Sequence, residues 1–262
     1  MLFAIDVGNT NIVAGLFKGD ALQQRWRIST DTARSADEYR ALFHILAGAD
    51  GIDLTSMVDA VVIGSVVPPV TSALQKYCHD WLDTEPLLVH VGLDLDMPVL
   101  VREQKRVGVD RLLNAIAARS LFGAPCITLD LGTATKFDVV DTNGAFIGGA
   151  NAPGFHTASD ALVQGTALLP RIDLDAPPHP IGDDTASAMQ SGIVLGYVSL
   201  IEGMLTRIQA VLPEAPVTVV ATGGLASLAV SLSDVVDHYE PNLTLCGLRI
   251  VYGRNKGVKR DA

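Results

Sequence analysis

The chain has 262 residues, 48% of them apolar and 18% charged, with a formal net charge of −10 at neutral pH. So much apolar material supports a large core in one or two domains and excludes a disordered chain. The acidic balance argues against nucleic acid or an anionic membrane as a non-specific partner, but a locally positive pocket could still take an anionic substrate.

Residues 2–6 and 12–17 read as strands, joined by the turn Asp6-Val7-Gly8-Asn9-Thr10. Gly19-Asp20 is a turn and 22–29 a third strand. Residues 35–46 have helical spacing at Tyr39, Leu42, Phe43 and Leu46, with Ser35 and Glu38 placed as a capping box. The continuous apolar run 60–67 predicts a strand buried on both faces, stopped by Pro68-Pro69. A helix over 71–81 and a strand over 86–91 follow. Gly108-Val109-Asp110-Arg111 introduces an amphipathic stretch, 112–122, ended by Gly123. We expect a domain boundary at this helix, giving domains 1–115 and 116–262.

The second half restarts with Ile127-Thr128-Leu129-Asp130-Leu131-Gly132-Thr133-Ala134. Asn143-Gly144 is a tight turn between strands at 137–140 and 145–147. Gly148-Gly149 and Pro153-Gly154 predict a flexible loop, and Thr157 and Asp160 the start of a helix. Residues 174–185 predict an exposed loop rich in Pro and Asp. Residues 186–212 predict a long helix in which Gly192 and Gly196 permit close packing. A strand over 217–221 runs into Thr222-Gly223-Gly224.

Asp6 and Asp130 lie 124 positions apart, close to half the chain. Each follows an apolar strand and precedes Gly and hydroxyl or amide side chains. A single Asp-x-Gly after a strand is most often only a turn; two copies at half-chain spacing point to function. Gly lets the backbone approach a phosphate, so that free N–H groups face the anion. The Asp can hold a hydrated cation. Two such hairpins facing each other across a cleft would grip a nucleotide triphosphate. Cys78, Cys126 and Cys246 are odd in number and widely spaced, which suits reduced thiols in a cytoplasmic protein. The six histidines show no metal-ligand spacing. The start of the chain has no basic leader and does not read as a signal peptide, and no apolar run reaches the span of about 18 residues that a membrane requires.

Six pieces, taken together in their order and spacing, resemble the type III pantothenate kinases of the actin and sugar-kinase superfamily. They are Asp6-Val7-Gly8-Asn9-Thr10-Asn11, Ser65-Val66-Val67-Pro68-Pro69, Gly108-Val109-Asp110-Arg111, Asp130-Leu131-Gly132-Thr133-Ala134-Thr135, Met189-Gln190-Ser191-Gly192 and Ala221-Thr222-Gly223-Gly224-Leu225. The resemblance covers essentially the whole chain. It implies an α/β protein of two ribonuclease-H-like domains, with mixed sheets flanked by helices and a cleft between them. It also implies a homodimer that moves the γ-phosphoryl group of ATP, with Mg2+, onto the primary hydroxyl of pantothenate.

The resemblance further implies roles. Asp110 would be the general base, although an Asp heading a helix is also favoured by the dipole alone. Gly108, Val109, Asp110 and Arg111 would line the pantothenate site, with the planar Arg111 fork on its carboxylate or amide oxygens. Thr185 would contact pantothenate from the partner subunit. Asp6 would hold Mg2+, while Val7, Gly8, Asn9, Thr10, Asn11, Ile12 and Val13 bind ATP, Thr133 faces its phosphates and Gly223-Gly224 lies flat on the adenosine. Asp130 would hold a monovalent cation, K+ or NH4+.

Four positions depart from the family pattern: Val101, where an aromatic is common, Lys136, Asn151 and His156. Phe155 and His156 read as loop packing. Lys136 offers a tethered ammonium in place of the monovalent cation; the alternative is a solvated lysine on an outer strand face. These departures also leave open a non-catalytic relative that binds nucleotide and acts through a protein partner.

Overall fold

A computed structural model describes residues 1–212 and 216–256. It divides into two compact units. The first comprises Met1–Met97, Arg102–Ala117 and residues 243–256; the second comprises Pro98–Val101 and the described residues of Ala118–Asn242. The expected division at 115/116 falls at 117/118 and differs in two further places. The C-terminal helix belongs to the first unit, and the short segment Pro98–Val101 joins the second through bonds from Leu100 N–H to Phe146 O and from Phe146 N–H to Pro98 O, each 2.8 Å.

The first unit is built on β1 (Leu2–Val7), β2 (Asn11–Lys18), β3 (Ala21–Ser29), β4 (Ala60–Ser65) and β5 (Leu87–Leu88), in spatial order β3-β2-β1-β4-β5. The β1–β2 and β2–β3 pairs are antiparallel; β1–β4 and β4–β5 are parallel. One face carries α1 (Ala36–Ala49), the short α2 (Leu54–Met57) and α3 (Pro68–Leu82). Phe3, Ile5 and Val7 pack there with Tyr39, Phe43, Leu74 and Tyr77. The Ser35–Glu38 capping box starts α1 as expected. Pro68 and Pro69 do more than end a strand: they occupy the first turn of α3, where the missing N–H costs nothing.

α9 (Leu243–Asn255) and the part of α4 (Val109–Phe122) up to Ala117 also belong to this unit. Glycines let them approach. A Cβ at Gly64 would meet Leu113 and Leu248, one at Gly15 would meet Leu245, and one at Gly247 would strike the backbone of Leu113.

The second unit repeats the design. β6 (Cys126–Leu131), β7 (Ala134–Val140), β8 (Phe146–Pro153), β9 (Thr218–Thr222) and β10 (His238–Tyr239) lie in the order β8-β7-β6-β9-β10, again with two antiparallel and two parallel pairs. Two mixed five-stranded sheets with flanking helices are the ribonuclease-H-like pattern implied by the sequence. Leu129, Phe137 and Val219 face an apolar core with Phe155 of α5 (Phe155–Gln164) and Ala226 and Ala229 of α8 (Ala226–Leu232). By strand alternation, Thr128, Asp130, Lys136 and Asp138 lie on the opposite face.

Gly148-Gly149 and Pro153 are not in a loop: they lie within β8. A Cβ at Gly149 would collide with the carbonyl of Phe137, so a glycine there lets the strand close on β7. The long helix forms as α6 (Thr185–Gln190), a π-helical turn over Ser191–Leu195, and α7 (Gly196–Gln209). By length and composition this stretch could cross a membrane, which a search for uninterrupted apolar runs overlooks. Ile193, Ile201 and Leu205 sit in the core of the second unit. Cys78 and Cys126 are buried, and burial pushes both thiols up to about 12, where they are inert at neutral pH.

Candidate active site

In the first unit the site starts where β1 ends. Asp6 is paired across the sheet with Val13 and Gly64, and Val7 with Ile12 and Ser65. Gly8 N–H donates to Asn11 O at 3.0 Å and closes the turn. This leaves Asn9 and Thr10 exposed. The end of β3 braces the turn: Thr30 N–H donates to Thr10 O at 3.0 Å, and Thr30 Oγ1 donates to Gly8 O at 2.6 Å. Thr30 carried no sequence signal, because its partners are about twenty residues away and are backbone carbonyls. Val7 and Ile12 bury their side chains in the core, so only their backbone is available to a ligand.

The chain leaving β4 stays beside this turn, with Val66 N–H donating to Val7 O at 3.1 Å. The start of α4 reaches the same place. A Cβ on Gly108 would lie 3.8 Å from Val66 Cγ1 and would run into the Asp110 carboxylate. Glycine at 108 therefore gives that carboxylate its room. α4 begins at Val109, earlier than the amphipathic stretch suggested, so Asp110 stands in its first turn. Val109 is buried and Arg111 half-buried.

In the second unit, Gly132 N–H donates to Ala134 O at 3.2 Å in the equivalent turn, and Thr133 is exposed. Helix α5 supports it. Gly154 N–H donates to Thr133 O at 3.1 Å and Thr157 Oγ1 to the same oxygen at 2.8 Å. A Cβ at Gly154 would collide with the carbonyls of Gly132 and Thr133. The loop after β9 closes in from the other strand. Gly223 has φ +99°, and a Cβ there would strike the Leu131 backbone; Leu225 N–H donates to Leu131 O at 3.2 Å. Gly224 faces open space. Lys136 Nζ lies 3.0 Å from Asp130 Oδ2.

The structure thus gathers Asp6, Gly8, Asn9, Thr10, Gly108 and Asp110 at one end of the first sheet. It gathers Asp130, Thr133, Lys136, Gly223 and Gly224 at the matching end of the second. Thr185 is elsewhere, exposed at the first position of α6. Val101 lies near Gly148, its Cγ1 3.7 Å from where a Cβ would stand there. Phe155 packs on Tyr197, with ring centroids 4.8 Å apart. His156 is exposed. Among the described residues no three His, Cys, Asp or Glu side chains converge on one point. Asp6 sets a carboxylate at the first turn, a hard oxygen donor of the kind that fits a hydrated divalent cation completed by a ligand's phosphate oxygens.

The sequence matches the family model for type III pantothenate kinase over residues 2–207. A type III pantothenate kinase of Moorella thermoacetica is 44% identical over 255 residues, 97% of this chain and 100% of that one. One from Myxococcus xanthus is 45% identical over 255 residues, 97% of this chain and 99% of that one. A solved structure described as a 2-dehydro-3-deoxygalactonokinase of Sinorhizobium meliloti superposes with a TM-score of 0.59, covering 100% of this chain and 99% of that one. Its 15% identity makes this a likeness of fold.

Proposed function

The chain belongs to the type III pantothenate kinase family, enzymes that phosphorylate pantothenate in coenzyme A biosynthesis, and we propose that it does so with ATP as donor, Mg2+ as the divalent ion and Asp110 as general base. The observation that carries the reading is the position of Asp110 in the first turn of α4, over Gly108 and beside the chain leaving β4. An alcohol attacking a phosphoryl group needs positioning, charge neutralisation and an acceptor for its proton. Asp110 takes the proton from the pantothenate hydroxyl, and Arg111 orients the acceptor through its planar fork. The exposed residues Asn9 and Thr10 face phosphate oxygens, with Val7, Gly8, Asn11, Ile12 and Val13 shaping that hairpin. Mg2+ held by Asp6 and phosphate oxygens would offset the charge developing in transfer. Thr133 binds phosphate from the second turn, and Gly223-Gly224 offers the adenosine a surface without side chains.

ADP release that depends on pantothenate, followed by detection of 4'-phosphopantothenate, tests this reading. ADP release that ignores pantothenate and responds to another alcohol would overturn it. The acidic surface charge and the reduced thiols support a cytoplasmic location, with neither nucleic acid nor membrane as partner.

The long helix supports a homodimer. Gly192, Gly196, Ser199, Gly203 and Thr206 form one exposed stripe along it, and only 33% of its apolar window is buried. A Cβ at Gly192, Gly196 or Gly203 would meet nothing within 4 Å. Two copies can lay such stripes against each other about a two-fold axis, bringing each Thr185 toward the pantothenate of the other copy. Gly196→Leu should shift the mass measured by light scattering from dimer to monomer with little change in the melting temperature of the fold. A variant that keeps the dimer mass would contradict this interface.

A further inference from the structure

Asp6 and Asp130 hold the same place in the two sheets: each is the fifth residue of a six-residue central strand. Their neighbours in the ladders differ in charge. Asp6 lies opposite Val13 and Gly64. Asp130 lies opposite Lys136 on β7 and Thr222 on β9. Lys136 Nζ donates to Asp130 Oδ2 at 3.0 Å, and the two side chains are only 20% and 14% exposed. The lysine is therefore not a solvated residue on an outer strand face. The polar row extends across four strands, since Lys136 also lies opposite Asn151 on β8. It runs along the face opposite the Leu129 and Phe137 core and ends beside the Gly132-Thr133 turn.

A potassium or ammonium ion bound at Asp130 does not fit this arrangement. One carboxylate oxygen already accepts from an ammonium group, and a second cation at the same half-buried carboxylate would face like-charge repulsion. We propose that Lys136 is the resident cation of the second phosphate turn, so that the enzyme needs no free monovalent cation. The lysine neutralises Asp130 and fixes one positive charge near the bound phosphates. Its tether removes the entropic cost of capturing a free ion. Lys136 is a positioning residue, acting through Asp130 and through its charge. The proposal rests on reading residues 130–135 as a phosphate turn, and it is independent of which alcohol accepts the phosphoryl group.

The test measures ATP binding by calorimetry and turnover with pantothenate, with sodium, potassium, ammonium or tetramethylammonium as the sole monovalent cation. The unmodified protein should give one ATP affinity and one rate in all four. Lys136→Ala, which leaves Asp130 without its ammonium partner and opens a space beside it, should lose roughly 10- to 100-fold in ATP affinity in sodium or tetramethylammonium. Potassium or ammonium should restore most of that loss. Asp130→Asn/Lys136→Ala, which carries neither charge, should show no such response. If Lys136→Ala does not fold, Lys136→Met keeps the bulk without the charge; it should lose affinity with no recovery, because its side chain fills the space. Strong activation of the unmodified protein by potassium would overturn the proposal, as would a Lys136→Ala variant as indifferent to the cation as its parent. Cation-independent ATP binding without phosphorylation of pantothenate would support the role of Lys136 and overturn only the choice of acceptor.

Discussion

Asp110→Asn should lower kcat by about 10²–10⁴-fold, the usual contribution of a positioned base, with ATP affinity nearly unchanged. The amide preserves the size of the side chain and its place in the first turn of α4, so it removes basicity and little else. Gly108 remains free of a side chain, and the local geometry does not require repacking. Pre-steady-state kinetics alongside calorimetry separates the two quantities. A variant with near-normal kcat would remove Asp110 from the chemistry and leave it as a residue favoured by the helix dipole.

Asp6→Ala should nearly abolish turnover, and the loss should appear in the binding of the magnesium–ATP complex. The two residues opposite Asp6 in the ladder, Val13 and Gly64, carry no carboxylate that could take its place. With a single carboxylate contributing to a hard-cation site, its deletion removes the protein's anchor for the ion. The turn itself should survive, since Gly8, Asn11 and Thr30 close it through backbone groups and the Thr30 hydroxyl. Titration with magnesium and ATP is the check. A variant matching its parent at every magnesium concentration would show that Asp6 does not hold the ion.

The repeat was legible because each strand of the pair ends in the same local chemistry, Asp-x-Gly with small polar neighbours. The fold turns that into the same strand order twice. The place of Asp110 at the head of a helix was legible for a similar reason: glycine before it and helical spacing after it are local signals. What braces the turns was not legible. Thr30 and Thr157 act through backbone carbonyls more than twenty residues away, a relation with no period or motif. α9 escaped because its buried residues Leu243, Leu245, Leu248 and Val251 do not follow one clean stripe, and Gly247 looks like a breaker until it meets the backbone of Leu113. The part of β8 beyond residue 147 read as a loop because its glycines are strand-weakening, although Gly149 is required by its closeness to Phe137. Lys136 could be placed only by register, which puts it directly across from Asp130.

The central claim is that this site transfers phosphate from ATP to pantothenate. Phosphorus NMR of the reaction mixture, with magnesium, ATP and a panel of primary alcohols, reads donor, acceptor and product together. The account predicts that the γ-phosphate signal is replaced by a phosphomonoester only when pantothenate is present, and that Asp110→Asn suppresses this signal. A phosphomonoester formed on another alcohol but not on pantothenate, or inorganic phosphate released whether or not pantothenate is added, would contradict it.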